Sequence, residues 1–209
     1  MENSNAYHQF IEQIDAVGSK CLDGYNSSLL ESIYDWEVDK VEDIIWDRFC
    51  EKTDTDLAIF LPKLKKYNGI EMLKKKINDC EIPSSNSLNI AIVLYDNTQE
   101  NEYFEIIKAN YNGNTEINRM IVTAQLTYIK CNKLILEYFI QVYVEDQSSK
   151  VRSVAVTGML RCLGYINDPL NLQEVSKNLK LRKLFYLEEI NDRKDMINKF
   201  LNNEIILPN

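Results

Sequence analysis

Apolar residues in this 209-residue chain recur at intervals of three and four almost without interruption, and alternating runs longer than four residues are hard to find. That spacing places side chains on one face of a helix and scatters them across both faces of a strand, so the chain reads as all-α. Val38, Val41, Ile45 and Phe49 mark a helix near 36–51, with Asp35 as its expected cap. Leu57, Phe60, Leu61 and Leu64 mark the next, opened by Thr53-Asp54-Thr55-Asp56. Further helices follow over Ile70–Ile77, Leu88–Tyr95 and Tyr103–Tyr111, the last ended by Asn112-Gly113-Asn114. Ile117, Ile121, Ala124 and Tyr128 share a stripe. Leu134–Tyr143, Val151–Leu163, 171–187 and 190–202 complete the series. Six glycines and four prolines leave few sites for the sharp turns that an all-β fold demands.

Short helices joined by short connections pack antiparallel as hairpins, and stacked hairpins make an α-solenoid. Ile117–Ala124 laid over Val151–Gly158 gives an internal offset of 34, within the range that helix-pair repeats produce. Cys50 to Cys80 and Cys131 to Cys162 repeat at 30 and 31. The expectation is one domain over 1–209. Irregular helices occupy 1–35, helical repeats 36–187, and a capping helix and tail 188–209. An irregular helical bundle is the competing arrangement.

The stretch from Asp146 through Val151, Arg152 and Ala155 resembles the second-helix signature of HEAT repeats. The resemblance implies that Asp146 is the acid of the inter-helix turn, Arg152 the base of a ladder between layers, and Val151 and Ala155 packing residues. The preceding unit departs from it, with Asn112 and Asn118 at the corresponding positions, so the expected ladder stops there. Small acidic HEAT-like chains resemble the immunity proteins of bacterial toxin systems, which implies a non-enzymatic chain that binds and neutralises a toxin, often a basic nuclease. A HEAT-like adaptor or scaffold has the same signature.

The composition speaks against most catalytic chemistry. His8 is the only histidine and lies near a terminus expected to fray, so acid–base or nucleophilic sites built on imidazole have little to work with. The five cysteines, Cys21, Cys50, Cys80, Cys131 and Cys162, are odd in number and at least 29 positions apart, which reads as reduced core packing. No glycine-rich phosphate loop or calcium loop occurs, and no cofactor or metal is expected. A carboxylate-dependent hydrolase stays open, because 32 acids offer many pairs. The polar N-terminus does not read as a secretory signal, and the longest apolar run, Ile90–Tyr95, is far short of a membrane span, so a cytoplasmic protein is expected.

Charge is segregated along the chain. Residues 1–62 hold 14 acids against 4 bases, and the whole chain is at −8. On the helix near 36–51, Asp39, Asp43, Asp47 and Glu51 follow one another at i,i+4 opposite the apolar arc, with Trp36 in the acidic arc and Trp46 at its border. Aromatic groups ringed by like charge are the composition of an interface hot spot with steering charge. Trp36, Asp39, Asp43, Trp46 and Asp47 are therefore the candidate contact surface for another protein, a basic toxin domain being the concrete case. A merely solvated face is the alternative. Lys177, Lys180, Arg182 and Lys183 with Arg152 and Arg161 offer a competing basic groove, but the acidic remainder opposes nucleic acid.

Overall fold

The computed structural model describes residues 2–16, 25–52, 54–112, 114–169, 171–202 and 204. Gly18, Cys21, Gly24, Thr53 and Gly113 lie outside them. Every regular element among the described residues is a helix, and none of these is long and apolar enough to cross a membrane. The α-helices are α1 (Asn5–Ile14), α2 (Asp35–Lys52), α3 (Gly69–Ile77), α4 (Ser85–Thr98), α5 (Asn101–Tyr111), α6 (Glu116–Leu126), α7 (Lys133–Glu145), α8 (Ser149–Cys162), α9 (Leu172–Lys177), α10 (Leu179–Lys183) and α11 (Ile190–Leu201). Two 3₁₀ segments, Ser27–Glu31 and Thr55–Lys63, complete the set.

Most starts are set by a side chain that takes an otherwise unpaired amide of the first turn. Ser4, Asn68, Ser84, Thr115, Asn132, Ser148 and Asn171 each accept such a bond ahead of their helices. Helix α2 begins differently from the expectation. Asp35 is its first helical residue, and the Glu37 carboxylate reaches back to the Tyr34 amide at 2.8 Å.

Three expectations need correction. Residues 55–63 form a 3₁₀ segment, because Pro62 has no amide hydrogen to give an α-helix and its ring would crowd the preceding turn. The single helix expected over 171–187 is broken at Asn178, whose side chain donates to the Tyr165 and Glu174 carbonyls at 3.0 Å each. His8 sits within α1, where Ala6, Tyr7, Phe10 and Ile14 are buried and the imidazole stays exposed.

The chain divides into two compact units, Met1–Ile106 and Ile107–Asn209. In the first, the Thr55–Lys63 segment is the hub against which α2, α3 and α4 pack. Phe10, Val41, Ile45, Phe49, Leu57, Phe60, Leu61, Leu73, Ile90 and Leu94 are essentially inaccessible to solvent there. Gly69 is required at the closest approach, since a Cβ on it would lie 2.0 Å from the Leu61 carbonyl oxygen.

In the second unit α7 packs on α8, α8 on α6, and α11 on α7. Gly158 lets α7 and α8 close up; a Cβ there would lie 2.3 Å from the buried Phe139 ring. Helix α8 ends in a Schellman turn, with Gly164 at φ 79°, its amide on the Arg161 carbonyl and the Tyr165 amide on that of Leu160.

Helices α6, α8 and α11 share a device. Arg119, Arg152 and Arg193 each stand four residues after the N-cap, and each donates through Nη1 to the carbonyl five residues back: Asn114 at 2.8 Å, Gln147 at 2.9 Å and Glu188 at 2.5 Å. The residue equivalent to Arg152 is thus Arg119, at an offset of 33, one less than the apolar pattern suggested; Asn118 is not the equivalent position.

Each of the first two arginines also meets an acid that precedes the next arginine. Arg119 grips Asp146 with Nε at 2.7 Å and Nη2 at 3.1 Å, and Arg152 reaches Glu188 at 2.8 Å. Arg193 turns back to the Val144 carbonyl at 2.9 Å. Val151 and Ala155 are fully buried, as the packing role requires.

Candidate functional site

The acidic arc of α2 is real in space, but its five residues fall into two groups. Trp36 is 48% exposed, with its ring 6.1 Å from that of the exposed Tyr34. Asp39 and Asp47 are exposed, and no described residue bonds to either. The helix presents them because Val41, Ile45 and Phe49 hold its opposite face in the core.

Asp43 and Trp46 are committed to the protein's own surface. Asp43 accepts from Lys66 Nζ and from the Tyr67 hydroxyl at 2.6 Å, and the Trp46 ring stacks on Tyr67 with centroids 4.3 Å apart and planes 7° from parallel. The bonds from Lys66 and Tyr67 hold the Asp43 carboxyl below its usual range, while Asp43 pushes the Lys66 ammonium and the Tyr67 phenol up. This four-residue cluster carries little net charge, since the Lys66 ammonium meets the Asp43 carboxylate within it.

Two further acids of α2 that the periodicity did not single out are structural. Glu42 is buried and receives the amides of Lys65 and Lys66 at 2.9 and 2.7 Å. Glu37 is also buried, taking the Ser4 amide at 2.8 Å and hydroxyl at 2.6 Å besides the Tyr34 amide. Burial alone would raise the Glu37 carboxyl, but these bonds outweigh it and hold it below its usual range. A lone Glu beside an apolar residue carries no sequence mark of such a role; only the spacing from Tyr34 to Glu37 hints at the reach-back.

Toward the C-terminal end of the arc, Asp47 lines a shallow groove of about 330 Å³ with Ile11, Ile14, Ile44 and Arg48. Arg48 is tied to the Ile14 carbonyl at 2.5 Å and to Asp15, which fixes the groove wall.

No protein-family model matches the chain, and no curated protein or solved structure matches it significantly.

The basic groups that offered a competing groove are largely engaged. Arg152 is buried against two carbonyls and Glu188, and Arg161 donates to the Ile129 carbonyl at 2.6 Å. Arg182 donates to the Ser153 hydroxyl at 3.2 Å. In the second unit a cleft of about 390 Å³ opens beside Tyr111, Arg119, Tyr138 and Asp146. Of the two acids that line it, Asp146 is saturated, since it accepts from Arg119 twice, from the Tyr111 hydroxyl and from the Ser148 amide at 2.7 Å, and Glu145 accepts from Gln141 at 2.9 Å. Among the described residues, no three of the His, Cys, Asp and Glu side chains are grouped as a metal ion would need.

Proposed function

We propose that this chain is a non-enzymatic protein-binding module, and most concretely an immunity protein that binds and blocks a basic toxin domain through the outer face of α2. The observation that carries the reading is the half-exposed Trp36 beside Tyr34, on a helix whose Asp39 and Asp47 are free of bonds to the described residues. Trp36 and Asp47 lie about 16 Å apart along the axis at 1.5 Å per residue, a span that fits within one standard partner footprint. An aromatic anchor gives a partner area to bury, and unpaired carboxylates speed its approach if it is cationic. The Asp43–Lys66–Tyr67–Trp46 cluster supports the same face by removing its freedom to reorganise. The arginine–acid rungs of the second unit support the likeness to HEAT repeats.

The test is co-purification with the product of the neighbouring gene, followed by growth rescue of cells expressing that product. Trp36→Ala and the pair Asp39→Lys with Asp47→Lys abolish capture if the reading is right. Capture at unchanged affinity by these variants refutes the assignment of the face, and capture without growth rescue refutes the immunity role.

A further inference from the structure

Helix α6 is apolar on two opposite sides. Val122, Thr123 and Leu126 are buried, on a helix that packs on α8. At 100° per residue, Ile117, Ile121 and Ala124 fall within an arc of about 60°, centred roughly 180° from that buried side. Tyr128, in the turn that follows, extends the stripe. Ile117 is 63% exposed, Ile121 43% and Tyr128 53%, so the side of α6 that the sequence marks as apolar is the one the protein leaves open.

The apolar surface continues past the helix. Met120, beside the stripe, also lines a groove of about 490 Å³ with Val156 of α8 and with Phe185 and Tyr186, and Tyr186 is 59% exposed. A row of outward side chains thus borders a depression, with Met120 common to both. Ile117, Ile121, Tyr128 and Tyr186 together show solvent roughly 400 Å², taking about 200 Å² for one large side chain. Exposed apolar patches of that size mark interaction sites, and this one supplies about half of the ~800 Å² that each partner gives to a standard interface with a polar rim.

The chemistry of the patch selects what covers it. Ile117, Ile121, Ala124 and Tyr128 follow at intervals of four, three and four, the spacing with which one helix seats against another. The flanking positions, Asn118 and Gln125 on one side and Met120 and Thr127 on the other, are uncharged. Around the groove the charges come as matched pairs, Lys150 with Glu116 at 3.1 Å and Arg152 with Glu188 at 2.8 Å. A strongly cationic or anionic partner has nothing to complement there, whereas a surface of the same composition meets it without net repulsion. The second unit as a whole holds 14 bases and 11 acids, so the excess of acid behind the net −8 lies in the first.

We propose that the chain forms a two-fold symmetric dimer through this face, with α6 of one copy against α6 of a second. A two-fold axis puts the same patch on both sides of the interface, so each row of apolar side chains meets the depression beside the other. The surface shares no residue with the outer face of α2 and stands independently of the role proposed for it.

Sedimentation velocity of the full chain from about 1 to 100 μM reads the association. The expected result is a rise with concentration toward twice the 24.4 kDa of one chain. Ile117→Glu combined with Ile121→Glu puts acids into the seam and raises the dissociation constant on the order of thirtyfold, and Tyr186→Ala raises it about tenfold. All three side chains are exposed, and circular dichroism with the urea midpoint checks that the variants are folded. If the double variant does not fold, Tyr186→Ala and Ile117→Lys alone carry the test. Trp36→Ala with Asp47→Lys dimerises at parent affinity, which keeps this result separate from the reading of α2. Raising salt from about 50 to 500 mM changes the constant by less than about threefold, because the seam is uncharged. A parent that keeps the mass of one chain at the highest concentration, whatever other protein the stripe then binds, overturns the proposal. So does a dimer that the folded seam variants leave at parent affinity, or one that the added salt weakens more than about tenfold.

Discussion

Replacing Asp146 by Asn tests the arginine–acid rung directly. The Asp146 side chain is 2% exposed and its carboxylate takes four donors, two of them from Arg119. Asparagine keeps one oxygen, enough for the Ser148 amide, and turns an NH₂ group toward donors that need an acceptor. Removing one partner of a buried pair costs about 3–5 kcal/mol. The Arg119 side chain is 23% exposed, so water recovers part of that, and the expected loss is about 3 kcal/mol. Urea unfolding followed by circular dichroism reads it as a lower midpoint at unchanged slope. Arg119→Gln costs a similar amount, and the double variant loses about 2 kcal/mol less than the sum of the two.

The pH dependence of the same variant has a definite sign. Burial raises the Asp146 carboxyl, but the bonds from Arg119, Tyr111 and the Ser148 amide outweigh it and hold it below its usual range. A carboxyl lowered on folding contributes its full stability above the unfolded pKa of about 3.9, and loses it as pH falls through the folded value. The gap between parent and Asp146→Asn is therefore constant from pH 5 to 8 and narrows below about pH 4. A loss under about 1 kcal/mol at neutral pH, additive single variants, or a gap that widens in acid would each refute the reasoning.

Gly158→Ala drives a methyl into the buried Phe139 ring and costs about 2–3 kcal/mol, with Phe139→Leu restoring part of it in the double variant, measured by the same unfolding assay. Glu42→Ala strips the acceptor from the Lys65 and Lys66 amides, and unfolding free energies fall by about 2 kcal/mol. The Tyr143 hydroxyl is buried with no hydrogen-bond partner among the described residues, so Tyr143→Phe leaves stability unchanged or raises it by about 1 kcal/mol; a loss above that would show an unrecognised acceptor. Trp36→Ala and Asp39→Lys change unfolding free energy by no more than about 0.5 kcal/mol while removing partner capture, which separates a binding role from a structural one.

The all-helical character was legible because burial enforces the period: Val41, Ile45 and Phe49 recur every four residues and all reach the core. The spacing between equivalent caps is 33, one less than the apolar pattern gives, because apolar positions tolerate a shift that caps do not. Val122-Thr123 resembles Val156-Thr157 in letters, yet Thr115 and Ser148 start their helices, and the arginine four residues later fixes the register at 33. Thr115-x3-Arg119 and Ser148-x3-Arg152 were in plain view as letters and gain meaning only with the carbonyl each arginine meets. The acidic arc was also legible, but a wheel drawn on one helix says nothing of its neighbours. Lys66 and Tyr67, which neutralise and cover its middle, come from more than 20 residues away. Glu42 and, in part, Glu37 were hidden for the same reason, since the Lys65 and Lys66 amides that meet Glu42 and the Ser4 amide and hydroxyl that meet Glu37 belong to other segments.

The arginine rungs give the second unit a counted length. Each acid is supplied by the stretch that precedes the next arginine, so Arg119 and Arg152 are satisfied from downstream, whereas Arg193 closes on the Val144 carbonyl behind it. A duplicated 33-residue block inserted before Asp146 would bring its own arginine and meet the existing acid. The same block added after Arg193 would find that arginine already turned back, with its Nε on the Val144 carbonyl and its Nη1 on the Glu188 carbonyl. The arginine contacts of the second unit therefore run one way along the chain and end at Arg193, a polarity written into where three guanidinium groups point.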